Sequence, residues 1–490
     1  MERASKIMID ETKLFDTNTQ LIKYKVLREV ARLRWKDAPD SELLNVPEIV
    51  SPGKKATLRC CVYKERAVAA KRIRIAMELY HRTSKEFAHV IRSIDIACDE
   101  CPSGGYRVTE VCRGCLAHPC VGACKRGAIT YELGHGSRID KSKCVECGAC
   151  AKVCPFGAIV AQKRPCQNAC KVKAVTIDEE NVSRIDYAKC TGCGACSYQC
   201  PFGAITDKTY ILDVIDLLKE RANGGTKKLY AVVAPAIASQ FSYAKIGQIV
   251  TAIRQLGFDG VFEAALGADM VAQEEGKELA KDGFLISSCC PAFVRFVRNN
   301  FPKLAPHIST CLSPMARISK YIKEHEGDCQ IVFVGPCTAK KEEMQLETVS
   351  PYVDSVLTFE ELQSLIDSRD LDVPAMEETP LDGASYFGRI FAHCGGLATA
   401  VKEVLKEENI DFDLKPISCD GLDACRNALL KYQAGVLDVN FIEGMACEGG
   451  CVGGAGCLTH NAQSAKLVDK YAKEGDATVS ESVLHHIEEE

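Results

Sequence analysis

The stretch Glu443-Gly-Met-Ala-Cys-Glu-Gly-Gly-Cys-Val-Gly-Gly-Ala-Gly456 determines what we expect of the C-terminal half of the chain. It holds Cys447 and Cys451, four positions apart, in a segment too rich in glycine for an ordinary helix. Glycine lets the backbone approach a bulky inorganic group closely, and thiolates are soft ligands suited to iron–sulfur clusters. Two cysteines are too few for a four-iron cube, so further ligands are expected from the cysteines of 287–293 (SSCCPAF) and 335–343 (GPCTAKKEE).

The two additional cysteine segments each follow an apolar run that predicts a buried strand. These runs cover residues 284–287 and 330–334, and a third such run lies at 228–234. Helical stretches alternate with them, as at 244–256 and 313–325, and this alternation indicates an α/β fold. Loops at the carboxyl ends of parallel strands are where such folds build their sites.

Length and cysteine content define the class of protein. A chain of 490 residues predicts roughly three domains of ~150 residues each. We place them at 1–95 (mainly helical), 96–208 (ferredoxin-like, α+β) and 209–490 (α/β).

The 29 cysteines predict either a disulfide framework or metal ligands. Disulfide scaffolds are usually small and secreted, whereas this chain is large. Its N-terminus resembles no signal peptide and it has no membrane-length apolar run, so we expect a reduced, cytoplasmic, metal-binding protein. A net charge of −5 gives no case for nucleic-acid binding.

The middle region carries two copies of the two-cluster bacterial ferredoxin motif, Cys-x2-Cys-x2-Cys-x3-Cys-Pro. In this motif the first three cysteines hold one 4Fe–4S cube and the fourth reaches across to the other. The spacing therefore predicts two ligand sets, Cys144, Cys147, Cys150 with Cys200, and Cys190, Cys193, Cys196 with Cys154.

Eight more cysteines lie nearby and predict one or two further 4Fe–4S clusters. By analogy with the crossed pairing we expect the sets Cys112, Cys115, Cys120 with Cys170, and Cys98, Cys101, Cys166 with Cys124. Two alternatives stay open. In the first, some of these cysteines are spare thiols and there is one extra cluster rather than two. In the second, Cys98-x2-Cys101 contributes to a zinc site.

The three C-terminal cysteine segments resemble the signature loops of the iron-only (FeFe) hydrogenases. The family patterns are T-S-C-C-P-x-W, M-P-C-x-x-K-x-x-E and E-x-M-x-C-x-x-G-C-x-x-G-G-G, and all three occur here in the family's order. The resemblance implies an H-cluster: a 4Fe–4S cube joined to a two-iron subcluster that carries CO, cyanide and an azadithiolate. It implies an anaerobic oxidoreductase of hydrogen metabolism that interconverts protons, electrons and H2. It also implies that residues 209–490 form a two-lobed α/β catalytic domain that closes over this cofactor. Its partners would be a ferredoxin-like electron carrier and the maturation enzymes of the two-iron unit.

The resemblance also implies a role for individual residues. Cys289, Glu275, Ser309 and Glu278 match the family's proton relay, whose outer arginine would fall near Asp282. Lys340 matches the donor to a cyanide, Glu343 would anchor that loop, and the adjacent Lys341 is expected at the surface. Cys451 would bridge the cube to the two-iron unit. The expected cube ligands are Cys290, Cys337, Cys447 and Cys451, and the residues expected around the two-iron unit are Met445, Ala234, Pro235 and Ala236.

Several positions depart from the family patterns. Phe293 stands for Trp, Ser287 for Thr, Gly335 for Met, and Ala455 interrupts the glycine triplet. These departures indicate a divergent, monomeric subgroup with an altered surrounding of the cofactor. Two alternative functions are a hydrogen sensor and a hydrogenase-like iron–sulfur assembly factor without a two-iron unit. Sensors tend to lose the relay cysteine and add a signalling domain, whereas this chain keeps Cys289.

Overall fold

The structure is a computed structural model that describes residues 10–80, 89–98, 101–102, 104–381, 383–476 and 478–488. Within these ranges no helix combines the length and the apolar character that a membrane span requires. The last helix of the N-terminal region is described from Val62 to Tyr80, and residues 81–88 lie outside the described ranges.

The N-terminal region is helical and packs on the C-terminal domain. Its four helices are α1 (Asn18–Trp35), α2 (Asp40–Leu43), α3 (Val46–Val50) and α4 (Val62–Tyr80). The hydroxyl of Thr17 caps α1, and Gln20 in its first turn donates from Nε2 to the carbonyl of Cys457 at 3.0 Å. Apolar residues of α1 such as Val26 and Val30 are fully buried in the same core as the large sheet of the C-terminal domain.

The cysteine-rich region consists of two ferredoxin-like modules, one inserted in the other. Antiparallel pairing joins β2 to β5 and β3 to β4 in the inner module, residues 105–162. In the outer module, residues 91–98, 101–102 and 163–207, it joins β1 to β8 and β6 to β7. In chain order the elements are β1 (Ile91–Ser93), β2 (Gly105–Val108), α5 (Pro119–Ala123), β3 (Ile129–Glu132), β4 (Gly136–Ile139), α6 (Ala149–Val153), β5 (Ile159–Gln162), α7 (Pro165–Ala169), β6 (Val175–Ile177), β7 (Ser183–Ile185), α8 (Ala195–Tyr198) and β8 (Ile205–Asp207).

The C-terminal domain is built on two parallel sheets, so the predicted two-lobed α/β fold is confirmed. One sheet has the strand order β10-β9-β12-β13 and the other β11-β15-β14. The first lobe contains α9 (Ile211–Ala222), β9 (Lys228–Val233), α10 (Ile246–Leu256), β10 (Gly260–Glu263) and α11 (Ala264–Asp282), which leads to β11 (Leu285–Ile286), α12 (Pro291–Asn300) and α13 (Pro314–Glu326). There follow β12 (Cys329–Gly335), α14 (Lys340–Glu343), β13 (Ser355–Thr358), α15 (Phe359–Ser368), α16 (Tyr386–Arg389), α17 (Gly396–Glu407), β14 (Pro416–Asp420), α18 (Gly421–Gln433), β15 (Phe441–Met445), α19 (Ser464–Ala472) and α20 (Val479–Glu488).

Parallel pairing explains where the signature loops lie. β11 and β15 pair in parallel, as do β9 and β12, so within each sheet the loops leave from the same edge. The loop after β11 carries the first cysteine motif, the loop after β12 the second, and the loop after β15 the third. The two lobes thus bring three segments that are distant in sequence to one place.

Candidate metal centre and proton route

The four predicted cube ligands face one another between the two lobes. Burial, together with the neighbouring thiols of Cys337 and Cys290, raises the pKa of the Cys451 thiol to about 12. Burial likewise raises the pKa of Cys447 well above its usual value, again with contributions from Cys337 and Cys290. Buried thiols that disfavour each other's ionisation need a cation to hold them as thiolates, and an iron–sulfur cube supplies one.

No three His, Cys, Asp or Glu side chains in the described part of the chain lie close enough together to hold a single metal ion. A four-iron cube separates its ligand sulfurs more widely than one ion does.

A small cavity of about 90 Å³ lies beside these cysteines. Cys290, Cys337 and Cys451 form part of its wall. The remaining wall is mostly apolar and includes every residue that the sequence placed around a second metal unit: Ala234, Pro235, Ala236, Met445, Lys340 and Cys289. Met315, another cavity residue, is fully buried.

Lys340 supplies the cavity's cationic side chain. Its Nζ lies 2.6 Å from Oε2 of Glu343, one turn along α14, so the expected anchoring role of Glu343 takes the form of an ion pair. The same Nζ lies 3.4 Å from the carbonyl oxygen of Cys289. A buried ammonium needs acceptors, and these two leave it further donor capacity toward the cavity.

Lys341 is not at the surface, so that prediction is wrong. The side chain is fully buried, and its Nζ lies 2.7 Å each from Asp207 Oδ2, Glu361 Oε1 and the carbonyl oxygen of Lys208. Asp207 also pairs with Lys23 of α1. The reason is tertiary: the strand end at Asp207 and the first turn of α15 bring two carboxylates to this lysine. The network joins the outer module, the N-terminal region and the second signature loop.

The predicted relay residues lie near one another on the side of the cavity that Cys289 lines. Glu275 is fully buried on α11, and its Oε1 accepts hydrogen bonds of 3.1 Å from both the backbone N–H and the hydroxyl of Ser288. Its Oε2 has no hydrogen-bonding partner among the described residues. Burial raises the pKa of Glu275 to about 7. Glu275 lies close enough to Cys289 to raise the pKa of that thiol, although burial is the larger cause.

The outer end of the path is Glu278. Ser309 donates to its Oε2 at 2.7 Å, and Thr310 donates to its Oε1 from both N–H (2.9 Å) and hydroxyl (2.7 Å). Partial burial opposes ionisation, but these hydrogen bonds outweigh it and lower the pKa of Glu278. The pKa of Glu275 is raised and that of Glu278 is lowered, and two carboxyl groups with different pKa values can act as proton donor and proton acceptor. Thr310 is exposed, so the path reaches the surface at Glu278, and Asp282 is an exposed residue at the end of α11.

The ligand pairing predicted for the ferredoxin-like region is wrong. In the inner module, Cys154 lines one small cavity together with Cys112, Cys115 and Cys120. Burial raises the pKa of Cys150, with further contributions from Cys144 and Cys124. These neighbours lie within the inner module and group Cys112, Cys115 and Cys120 with Cys154, and Cys144 and Cys150 with Cys124. Cys147 belongs to the same motif as Cys144 and Cys150 and would complete the second set.

The cysteines of the outer module are likewise grouped with other cysteines of the same module. Burial raises the pKa of Cys166 to about 11, with contributions from Cys200, Cys101 and Cys98. The pKa of Cys196 is raised by burial and then by Cys193, Cys190 and Cys170. The two sets are Cys98, Cys101, Cys166 with Cys200, and Cys190, Cys193, Cys196 with Cys170. The two regular motifs are the second halves of different modules, because β5 returns to β2 and β8 returns to β1. The Pro-Cys-x3-Cys runs at 119–124 and 165–170 were the sequence signal for the first halves.

The loop at 190–196 touches the predicted cube site. Cys193 lies close enough to Cys447 to raise the pKa of that thiol. Thr338, next to Cys337, donates from its hydroxyl to the carbonyl of Gly192 at 2.7 Å. Gly194 has a φ of +76°, and any side chain there would overlap Thr338 and the methyl of Ala455. Sequence reasoning missed Thr338, and the contact gives Ala455 a packing role.

Two other departures, Phe293 and Ser287, also have local structural explanations, and Glu443, which matches the family pattern, has one as well. The ring of Phe293 is fully buried against Gly444, where a methyl group would overlap it. The hydroxyl of Ser287 accepts a hydrogen bond of 3.2 Å from the N–H of Gly444. Glu443 is fully buried and accepts from the Gly395 N–H at 2.9 Å and the Ser418 hydroxyl at 2.8 Å, which ties β15 to the start of α17.

Fold and site together define an iron–sulfur protein in which ferredoxin-like modules adjoin a cysteine-ligated centre. Residues 227–455 match the family model for the iron-only hydrogenase large subunit, C-terminal domain, and residues 137–160 and 183–206 match the 4Fe–4S binding domain. Residues 227–455 therefore belong to the FeFe-hydrogenase family.

Three similar proteins illustrate the spread of this family. Iron hydrogenase 1 of Clostridium pasteurianum is 30% identical over 311 residues, which are 52% of this chain and 54% of that protein. The NADP-reducing hydrogenase subunit HndD of Solidesulfovibrio fructosivorans is 27% identical, over 78% of this chain and 67% of that one. The nuclear prelamin A recognition factor of Homo sapiens is 25% identical, over 50% and 67%. The solved structure of HydA(deltaEFG) has 21% identity and a TM-score of 0.46, covering 56% of this chain and 92% of that chain. This chain thus spans about half the length of the first of these relatives.

Proposed function

We propose that this protein is an FeFe hydrogenase that interconverts H2 with protons and electrons. The observation that carries the proposal is the cavity of about 90 Å³ beside Cys451. Beside the candidate cube ligands it is lined mostly by apolar residues, with the Lys340 ammonium and the Cys289 thiol, and a polar path through Ser309 and Glu278 would lead from this side to the surface. A centre that held a cube alone would need neither the cavity nor the path.

The residues present fit an H-cluster. Cys290, Cys337, Cys447 and Cys451 would hold the cube, with Cys451 shared with the two-iron unit in the adjoining cavity. The cavity's apolar wall suits diatomic ligands, and the Lys340 ammonium suits an anionic cyanide. When bound, the H-cluster supplies the redox chemistry of hydrogen, and the protein supplies placement, electrostatics and exclusion of water.

The chain's own residues would move the proton. Burial keeps the Cys289 thiol protonated, because its pKa is well above the usual value. Glu275 would refill Cys289 from its unpartnered Oε2, since a carboxyl group of pKa about 7 carries a proton about half the time near neutral pH. Ser309 and Glu278 would connect Glu275 to solvent beside the exposed Thr310.

Electrons would reach the cube through the ferredoxin-like modules. Four cysteine sets are arranged to hold 4Fe–4S clusters, and the set containing Cys193 adjoins the cube ligand Cys447. Electrons pass through protein only between clusters that lie close together. The hydrogen bond from Thr338 to the carbonyl of Gly192 would hold the cluster of the Cys193 set next to the cube. A ferredoxin-like carrier would exchange electrons with the modules, and maturation enzymes would install the two-iron unit.

The second candidate is an iron–sulfur assembly factor, because the chain is also 23% identical over 312 residues to the cytosolic iron-sulfur assembly component 3 of Mus musculus. Such a protein would hold the cube but no two-iron unit. A hydrogen sensor is the third candidate, and it would bind H2 at the same site with little turnover. Lys340, Met445 and Cys289 all line the cavity, which favours a protein that fills it.

H2 turnover separates the candidates. The protein, co-expressed with the maturation enzymes of the two-iron unit, is assayed for H2 evolution from reduced methyl viologen and for H2 uptake with the oxidised dye. The proposal predicts turnover in at least one direction that Cys451→Ala abolishes. Absence of turnover in both directions, with all 4Fe–4S clusters present, would favour the assembly factor or the sensor.

A further inference from the structure

The inner module has a surface unlike that of the rest of the chain. It holds seven of the fifteen exposed large apolar side chains among the described residues, in a segment of 58 residues. They are Val111, Leu116, Leu133, Val145, Val153, Phe156 and Val160. Exposed apolar groups at this density mark an interaction surface rather than ordinary solvent-facing positions.

The same module is basic, although the chain as a whole carries a net charge of −5. Residues 105–162 contain eight Lys and Arg against four Asp and Glu, and all eight basic side chains are exposed. Two of the acidic groups are paired within the module, because Glu132 lies 3.6 Å from Arg138 and Asp140 lies 3.5 Å from Lys143, so the unpaired charge of the module is basic. A basic surface attracts an acidic partner and speeds encounter with it.

Both features gather around one cluster site, the set Cys144, Cys147, Cys150 with Cys124. Lys125 and Arg126 directly follow Cys124, Lys143 and Val145 flank Cys144, and Lys152 follows Cys150 on α6. All five of these neighbours are exposed, and Cys147 is itself exposed. An exposed ligand brings the cluster within reach of a redox partner at the surface. We call Lys125, Arg126, Lys143, Val145 and Lys152 the entry face.

We propose that the entry face is the docking surface for a small acidic electron-carrier protein. This inference rests on the proposed function and adds the place and the charge of the partner. The carrier's acidic groups would meet the basic side chains, its apolar patch would meet Val145, and electrons would pass to or from the cluster held by Cys147. An apolar centre inside a charged rim is the usual anatomy of such an interface.

The probe is an acidic two-cluster ferredoxin, whose binding to the full-length protein is measured by surface plasmon resonance. The test variants are Lys125→Glu/Lys152→Glu and, separately, Val145→Ser. Matched controls on the C-terminal domain are Lys431→Glu/Lys466→Glu and Val436→Ser, whose parent side chains are also exposed. We expect the double charge reversal to weaken binding at least about tenfold at low ionic strength. The loss should shrink above about 0.1 M salt, where the Debye length falls below ~10 Å. The controls should bind as the wild type does.

The outcomes separate this inference from the proposed function. Methyl viologen needs no docking surface, so H2 turnover with the dye tests the function alone. The entry face would be overturned if the protein turns over H2 with viologen but the wild type does not bind ferredoxin. It would also be overturned if the test and control variants bind ferredoxin equally weakly. Absence of viologen turnover with selective loss of ferredoxin binding would overturn the function and leave the entry face standing. If Val145→Ser instead converts a dimer to a monomer without affecting ferredoxin binding, the face contacts a second copy of this chain, and the inference is wrong.

Discussion

Replacing Glu275 with Gln tests the proton path at its most informative residue. Gln keeps the size of the side chain, and its amide oxygen can accept the two hydrogen bonds from Ser288. It cannot carry a proton between Cys289 and Ser309. The neighbouring Glu274→Gln is a matched control, because Glu274 lies on the same helix but pairs with Arg317 at 2.6 Å, away from the cavity.

The expected loss follows from what a positioned acid–base group contributes. Such groups accelerate proton transfer by about 10²–10⁴-fold, which corresponds to roughly 3–5 kcal/mol in the barrier. Glu275 is fully buried and has a pKa of about 7, so water cannot replace it readily. We expect kcat for H2 evolution to fall by two to four orders of magnitude in Glu275→Gln and by less than about twofold in Glu274→Gln.

The assay is viologen-driven H2 evolution by matured protein, with the cofactor content checked by infrared spectroscopy and iron analysis. A Glu275→Gln protein with full cofactor content and wild-type turnover would refute the path. Loss of the cofactor itself would instead make Glu275 a structural residue. The two cases are distinguished because the infrared bands report assembly independently of turnover.

The same substitution has a pH-dependent effect on stability. The pKa of Glu275 is about 7 in the fold, against 4.5 ordinarily. A raised pKa means that the favourable contribution of the protonated group is present below pH 4.5 and is lost as pH rises through 7. Ionisation of the buried group therefore costs about 3 kcal/mol above pH 7. Denaturant unfolding of wild type and Glu275→Gln at pH 5.5 and pH 8 should show the variant gaining stability relative to the wild type at the higher pH. An equal difference at both pH values would contradict the assigned environment.

Three further predictions concern the rest of the molecule. Lys341→Met should destabilise the fold by about 3 kcal/mol in denaturant unfolding, because it leaves buried carboxylates short of a partner. Exposed Lys281→Met should have no such effect, and equal stability of the two variants would show that the buried network contributes little. Cys124→Ser should remove the cluster held by the Cys144 motif from the electron paramagnetic resonance spectrum, whereas Cys200→Ser should spare it. The opposite result would restore the pairing predicted from sequence. Cys289→Ser should assemble the cofactor fully but lose most H2 turnover, and near-wild-type evolution would remove this thiol from the relay.

The α/β lobes and their loops could be predicted because the responsible signals are local. Buried parallel strands carry uninterrupted apolar runs, as at 330–334, and each signature cysteine follows the end of such a run. Parallel pairing then places these ends at a common edge. The residues of the cavity wall and the carboxyl pair of α11 came from the resemblance to the hydrogenase loops, and the three-residue spacing of Glu275 and Glu278 added only that they can share a helix face.

The nested modules could not be predicted, because nothing local distinguishes which cysteine motifs share a module. β1 pairs with β8 although the whole inner module lies between them in sequence. This strand pairing, rather than the cysteine spacing, decides which cysteine set Cys154 and Cys200 each join. Lys341 was missed for a related reason. Two adjacent lysines look alike in sequence, and only tertiary structure brings Asp207 and Glu361 to one of them.

The central claim is that three loops hold one cube with a two-iron unit in the adjoining cavity, and the infrared spectrum of the matured protein tests it most directly. We predict bands from CO and cyanide, absent from protein expressed without the maturation enzymes, with the cyanide bands shifted in Lys340→Met. A matured protein that contains its 4Fe–4S clusters but shows no such bands would contradict the claim.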